Sequence, residues 1–171
     1  QAHLGSALLR GMESIHKVIC ATRGEDGELR QPDQLRLLAF YELQFLYIWE
    51  DRCMDAQRLE ESLQGVLKSY PAVSGRISHN GPETTEVEGG SYWSIKFTNQ
   101  GVPFRAIHGH VGSAKDIPSG EDGPPLGKFA DYPAIAPVCG GPLLTVKLTC
   151  FESGGCVLGL VASHALFDGW A

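Results

Sequence analysis

Between Leu43 and Trp49 the chain alternates Leu43, Phe45, Tyr47 and Trp49 with Gln44, Leu46 and Ile48. Aromatic and branched aliphatic side chains at a period of two specify a β-strand. Both faces of that strand are largely apolar, so the expectation is a strand covered on both sides, as in a layered α/β domain. The nearly all-apolar run from Cys156 to Ser163 makes the same demand later in the chain. A chain of 171 residues, 43% of them hydrophobic, can build one domain with a sizeable core around such strands. The fold class expected is α/β, a mixed β-sheet flanked by helices.

Other stretches fill in this picture. Asp55 reads as an N-cap before Leu59, Leu63, Val66, Leu67 and Tyr70, which fall on one helical face. Arg58, Glu60, Glu61, Gln64 and Lys68 take the other positions, and Pro71 stops the helix. Gly75-Arg76-Ile77 opens a short strand that Asn80-Gly81 turns around. Trp93, Ile95 and Phe97, then Asn99-Gln100-Gly101, then Val102, Phe104 and Ala106 read as a hairpin. A second hairpin alternates Leu144, Val146 and Leu148, turns at 152–155 and returns through 156–163. Residues 6–22 are loosely helical but ambiguous, weakened by Gly11, and 24–34 and 83–90 read as loops. Residues 112–142 hold six of the ten prolines and six glycines, which exclude a regular helix or central strand there. That stretch reads as a long surface loop leading back into the core.

Charge and cysteine content narrow the partners. The net charge is −6 and no Lys/Arg cluster occurs, so neither nucleic acid nor an anionic membrane surface is expected as a partner. No apolar run approaches the roughly 20 residues of a membrane helix. The start has no basic n-region and no initiator Met, so no signal peptide is expected and the sequence is expected to begin within a longer gene. Five cysteines, none in a Cys-x-x-Cys pair, speak against a zinc site. They read as reduced thiols in a cytoplasmic core, with a Cys150–Cys156 bridge across the second hairpin as the alternative.

The chemistry gathers at the end of the sequence. Ser163-His164-Ala165-Leu166-Phe167-Asp168-Gly169 follows directly on the last apolar strand. A buried strand that ends in Ser-His delivers an imidazole to the end of a sheet, where α/β proteins tend to hold ligands. A neutral imidazole, with a pKa of about 6.5, can take a proton from an alcohol or amine as it attacks a carbonyl. Asp168 can brace the loop that fixes the ring, and Gly169 allows a tight turn. Against this stand plainer readings: a structural histidine at a strand end, Asp168 as an N-cap, and Asp-Gly as a turn dipeptide. His108-Gly109-His110 would suit a metal pair, but no third ligand is evident and a surface role is the simpler reading. Glu60-Glu61 and Glu86/Glu88 read as solvated faces, and no Gly-x-Ser-x-Gly, Walker or Gly-x-Gly-x-x-Gly motif occurs.

Four segments, in order, resemble the N-terminal half of the BAHD acyltransferases, acyl-CoA-dependent enzymes of plants and fungi. The first is the apolar strand at 43–50. The second runs from Leu59-Glu60-Glu61-Ser62-Leu63 through Tyr70-Pro71-Ala72-Val73-Ser74-Gly75-Arg76. The third is Asn99-Gln100-Gly101-Val102-Pro103-Phe104, and the last is Pro142-Leu143-Leu144 through His164, Asp168, Gly169 and Trp170. The resemblance covers roughly 40–171 and implies the first half of a chloramphenicol acetyltransferase-like two-domain fold, with residues 1–171 as an N-terminal half-domain. It implies His164 as the general base, Asp168 and Gly169 as structural support, acyl-CoA as co-substrate and no bound cofactor or metal. It further implies a small-molecule alcohol or amine acceptor and a monomer at full length.

Several features depart from the family. Ala72-Val73-Ser74 is one residue longer than the family's Leu-Ala between Pro and Gly, the 112–142 loop is rich in Gly and Pro, and the family's Asp-Phe-Gly-Trp-Gly motif and second half are missing; the Arg that pairs with the family's Asp has no assigned position in this sequence. The expectation is that the 171-residue polypeptide alone transfers no acyl group. Two rival readings remain. One is a nonribosomal-peptide condensation domain, which normally carries a second His where Ser163 stands. The other is a non-catalytic relative that keeps the fold as a binding or scaffolding module.

Overall fold

The computed structural model describes residues 13–20, 27–31, 41–80, 92–118, 126–131 and 140–167. In chain order the elements are β1 (Glu13–Ile19), β2 (Glu28–Gln31), β3 (Glu42–Trp49), α1 (Ala56–Ser69), β4 (Arg76–Asn80), β5 (Tyr92–Lys96), β6 (Val102–His110), α2 (Leu126–Phe129), β7 (Leu144–Phe151) and β8 (Cys156–Ser163). Short 3-10 turns cover Pro71–Ser74 and Ala114–Asp116.

The larger sheet has five strands in the order β1-β6-β7-β8-β3. β6 and β7 run parallel, and every other pair in it is antiparallel. A smaller antiparallel sheet has the order β2-β5-β4. The mixed α/β architecture expected from the sequence is therefore present.

Strand β7 lies at the centre of the large sheet, and all eight of its residues are buried. On one face Leu144, Val146 and Leu148 pack with Phe104 of β6 and with Leu63 and Leu67 of α1. On the other face α2 lies against the sheet, where Phe129 joins Phe151, Val157 and Ala114. Gly159 makes this approach possible, because a Cβ there would run into the Phe129 carbonyl oxygen. The edge strand β3 is only partly covered, less than its two apolar faces imply.

Helix α1 begins and ends where its sequence dictates. Asp55 Oδ1 accepts hydrogen bonds from the backbone N–H groups of Gln57 at 2.8 Å and Arg58 at 3.0 Å. Pro71, which cannot continue the hydrogen-bond ladder, opens the 3-10 turn beyond it. Replacing Asp55 with alanine leaves those two N–H groups without a side-chain acceptor, with an expected loss of about 1 kcal/mol in unfolding free energy. An unchanged urea midpoint for that variant would show that the cap contributes nothing.

Three sequence expectations need correction. The described part of 6–22 is the edge strand β1, because it pairs along its whole length with β6. The loop expected at 24–34 contains β2, a short strand held by β5. The hairpin read across 93–106 does not form, since β5 belongs to the small sheet and β6 to the large one. The alternation marked two strands correctly, but the chain changes sheets between them. It does so at Asn99 and Gly101, both with positive φ, and Gly101 lies where a Cβ would meet Ile19 O at 2.7 Å. Residues 112–142 contain no long element among the described residues, although Phe129 and Ala130 are buried rather than on the surface. The loop expected at 83–90 lies outside the described residues.

Cysteine pairing also differs from expectation. Cys53, between β3 and α1, is bonded to Cys150 of β7, with the two Cα atoms 5.8 Å apart. Cys156 faces Cys150 across the ladder but is a free, buried thiol. Burial pushes that thiol up from its ordinary pKa. The pairing was not legible because the two bonded cysteines are 97 residues apart.

Candidate active site

The last described strand carries the candidate base to the end of the large sheet. Ser163 N–H donates to Leu143 O at 2.8 Å on the β7 side, and His164 N–H donates to Tyr41 O at 2.9 Å on the β3 side. The backbone at His164 is thus pinned between two neighbouring segments. Ser163, itself buried, then turns the chain: its Oγ accepts from Ala165 N–H at 3.3 Å, and its carbonyl accepts from Leu166 and Phe167 N–H, both at 3.1 Å. A short hydroxyl side chain at this position suits a turn that begins as soon as the strand ends.

The residues after His164 anchor the turn. Ala165 is buried with Ala72, Ile77, Ile95 and Leu143, and Leu166 packs against both this cluster and the core of the large sheet. His164 itself is half-buried. Its Nδ1 is buried and has no hydrogen-bond partner among the described residues. His110 Nδ1 shares this property, so what sets His164 apart is its position at the end of β8. Asp168 and Gly169 lie outside the described residues.

Arg76 explains why the Tyr70–Arg76 segment reads as it does. Its Nη1 donates to Gly75 O at 2.7 Å, Gly101 O at 3.0 Å and Ser74 O at 3.3 Å, and its Nη2 donates to Gln100 O at 3.3 Å. One guanidinium therefore ties the turn after α1 to the crossing between the sheets. Gly75 has to be glycine here, because a Cβ would collide with the Lys96 carbonyl oxygen. The segment is architecture, and its role could be read from sequence only through the family resemblance.

A second polar cluster was missed altogether. Lys147 of β7 sends its ammonium to Asp131 Oδ1 at 2.7 Å and to the Lys128 carbonyl at 3.0 Å. Thr145 Oγ1 donates to Asp131 O at 2.7 Å, and Arg105 Nη1 lies 3.5 Å from both Asp131 carboxylate oxygens. These bonds fasten the end of α2 onto the sheet. They join residues that no local spacing connects.

The remaining candidates divide plainly. His110 packs its ring against Phe151 at 5.0 Å and Phe129 at 6.0 Å between centroids, a structural placement. Gly109 beside it has φ +72°, and the strand is irregular there. No group of three or more His, Cys, Asp or Glu suited to a metal occurs among the described residues. Glu60 forms an ion pair with Lys17 on the surface. Two cavities, of about 470 Å³ beside Lys17 and Gln64 and about 380 Å³ beside Arg76 and Thr98, do not include His164. Among the described residues no helix is long and apolar enough to cross a membrane.

The sheet order, with His164 at the end of its buried β8, is what the comparisons with known proteins can be set against. A model of the Transferase family matches residues 32–171. The chain belongs to the Transferase family. Stemmadenine O-acetyltransferase of Catharanthus roseus is 27% identical to this Transferase family member over 126 residues, which is 69% of this chain and 26% of that protein. Hydroxycinnamoyl-CoA:5-hydroxyanthranilate N-hydroxycinnamoyltransferase HHT1 of Avena sativa is 29% identical over 125 residues, 71% of this chain and 26% of that protein. The chain thus spans about a quarter of the length of these curated relatives. Vinorine synthase shares the fold over 92% of this chain and 39% of its own, with a TM-score of 0.65 at 20% identity. F. sporotrichioides TRI101, complexed with Coenzyme A and T-2, covers 83% of this chain and 35% of its own, with a TM-score of 0.53 at 18% identity. The resemblance to the N-terminal half of the BAHD-type acyltransferases is borne out by these relatives, and the chloramphenicol acetyltransferase-like fold by the structures.

Proposed function

We propose that this chain is the part of an acyltransferase that carries the general base, and that the full-length gene product moves an acyl group from an acyl-CoA thioester to a small alcohol or amine. The observation that supports the reading is the placement of His164: half-buried at the end of β8 and fixed by its backbone between β7 and β3. With Nδ1 turned inward, Nε2 is the nitrogen that meets the acceptor. It takes the acceptor's O–H or N–H proton as the oxygen or nitrogen attacks the thioester carbonyl carbon. The tetrahedral adduct then breaks its C–S bond, and the leaving thiolate takes the proton back from the imidazolium. Asp168 and Gly169 support the loop in this proposal and touch no substrate.

The relatives' names bear on the acceptor. One is an O-acetyltransferase and the other an N-hydroxycinnamoyltransferase, so both oxygen and nitrogen acceptors fall within the proposal. Acyl-CoA acts as co-substrate, with no resident cofactor or metal. The proposal places the full-length enzyme in the cytoplasm as a monomer in secondary metabolism, away from membranes and nucleic acid, with residues 1–171 as its N-terminal half-domain. The test is the full-length gene product with acetyl-CoA and hydroxycinnamoyl-CoA against a panel of alcohols and amines. Free CoA and acylated product are expected to appear in equal amounts, and the better acceptor class assigns O- or N-transfer. Absence of acylated product across the panel would sink the reading in favour of a non-catalytic relative.

A further inference from the structure

We infer that Tyr41 forms the acceptor-side wall next to His164 and selects acceptors that carry a flat apolar ring system. This rests on the acyl-transfer reading above. The printed register of β3 with β8 ends at Glu42 opposite Ser163. The bond from His164 N–H to Tyr41 O, at 2.9 Å, carries the ladder one residue further and sets Tyr41 opposite His164. Residues opposite one another in an antiparallel ladder project to the same face, with Cβ atoms about 5 Å apart. One rung inward on that face stand Leu43 and Ala162, both part of the large-sheet core. Leu166 and Phe167, just after the imidazole, pack on the same core.

The surroundings of the ring decide what it can recognise. Tyr41 is 62% exposed, so its phenol covers little of this chain's own core. Its neighbour Glu42 belongs to the opposite face of the ladder, and burial holds that carboxyl above the usual carboxylate range. The face beside His164 therefore offers an aromatic ring on an aliphatic floor. A flat ring stacks on such a surface, whereas a polyol would give up hydrogen bonds to water without replacement.

The experiment uses the full-length gene product and two acceptors of similar reach, an aryl-alkyl alcohol and an aliphatic diol. Tyr41→Ala is expected to raise KM for the aryl alcohol roughly 10-fold, with the KM for acyl-CoA unmoved and the diol changed less than about 2-fold. Tyr41→Phe is expected to keep the wild-type preference. Tyr41→Leu keeps apolar bulk but no ring, and guards against a failure of the alanine variant to fold; it is expected to show the same selective loss. Equal effects on both acceptors, or a shift in the KM for acyl-CoA instead, would overturn the assignment. Failure of the underlying reading shows separately, as full turnover in a His164→Ala variant.

Discussion

Acyl transfer by the full-length protein is expected to fall on the order of 10²–10⁴-fold when His164 is replaced by alanine, the usual cost of removing a general base. The loss should appear in kcat, because the imidazole acts on a proton that moves only as the acceptor attacks. The KM for acyl-CoA should change little, since the donor does not need the base in order to bind. Folding should survive, because what holds the turn is Ser163 and the backbone bond to Tyr41, neither of which uses the His164 side chain. Pre-steady-state and steady-state assays of CoA release would measure both constants. Equal rates for wild type and variant, with product confirmed, would remove His164 from the mechanism whatever its position suggests.

The second large effect concerns stability, and it sits on the other face of the sheet. Replacing Asp131 with alanine is expected to cost about 3 kcal/mol, the lower end of the range for breaking a buried pair. The Lys147 side chain is only 7% exposed, so its ammonium would keep the Lys128 carbonyl but lose its counter-charge. Asp131 is 35% exposed, and solvent screening on that side argues against the upper end of the range. Adding Lys147→Met to the Asp131 variant is expected to recover most of the loss, because an unpaired buried charge costs more than an apolar side chain of similar shape. A double-mutant cycle by chemical denaturation measures the coupling. A cycle that closes with no coupling would show that the pair does not hold the end of α2 to the sheet.

Residue pattern and chain distance explain which parts of this architecture could be read in advance. Strands β3, β7 and β8 and helix α1 were legible because their periodicity is strong and their ends carry Asp55, Pro71 and the 152–155 turn. The position of His164 followed from β8. The edge strands β1 and β2 were not legible: they are short or mostly exposed, so partner strands rather than apolar pattern make them strands. Alternation likewise shows that 93–97 and 102–106 are strands but says nothing of which sheet each joins, and the hairpin reading failed there. Asp131 with Lys147, and Cys53 with Cys150, meet only through the tertiary fold. Tyr41 was invisible as a site residue until the β3–β8 register set it opposite His164.

The order of the strands in the large sheet also governs how the chain is made. β8 is the last described strand to be synthesised, yet among the described strands it is the only partner of β3 in that sheet. As the polypeptide leaves the ribosome, Phe45, Tyr47 and Trp49 therefore emerge long before the strand that will cover one of their edges exists. The hairpin of β7 and β8 can close at once, whereas β3 must be captured late and from far along the chain, a slow step that leaves an aromatic edge open to wrong partners. The pairing of β3 is therefore completed only after residue 163 has been synthesised.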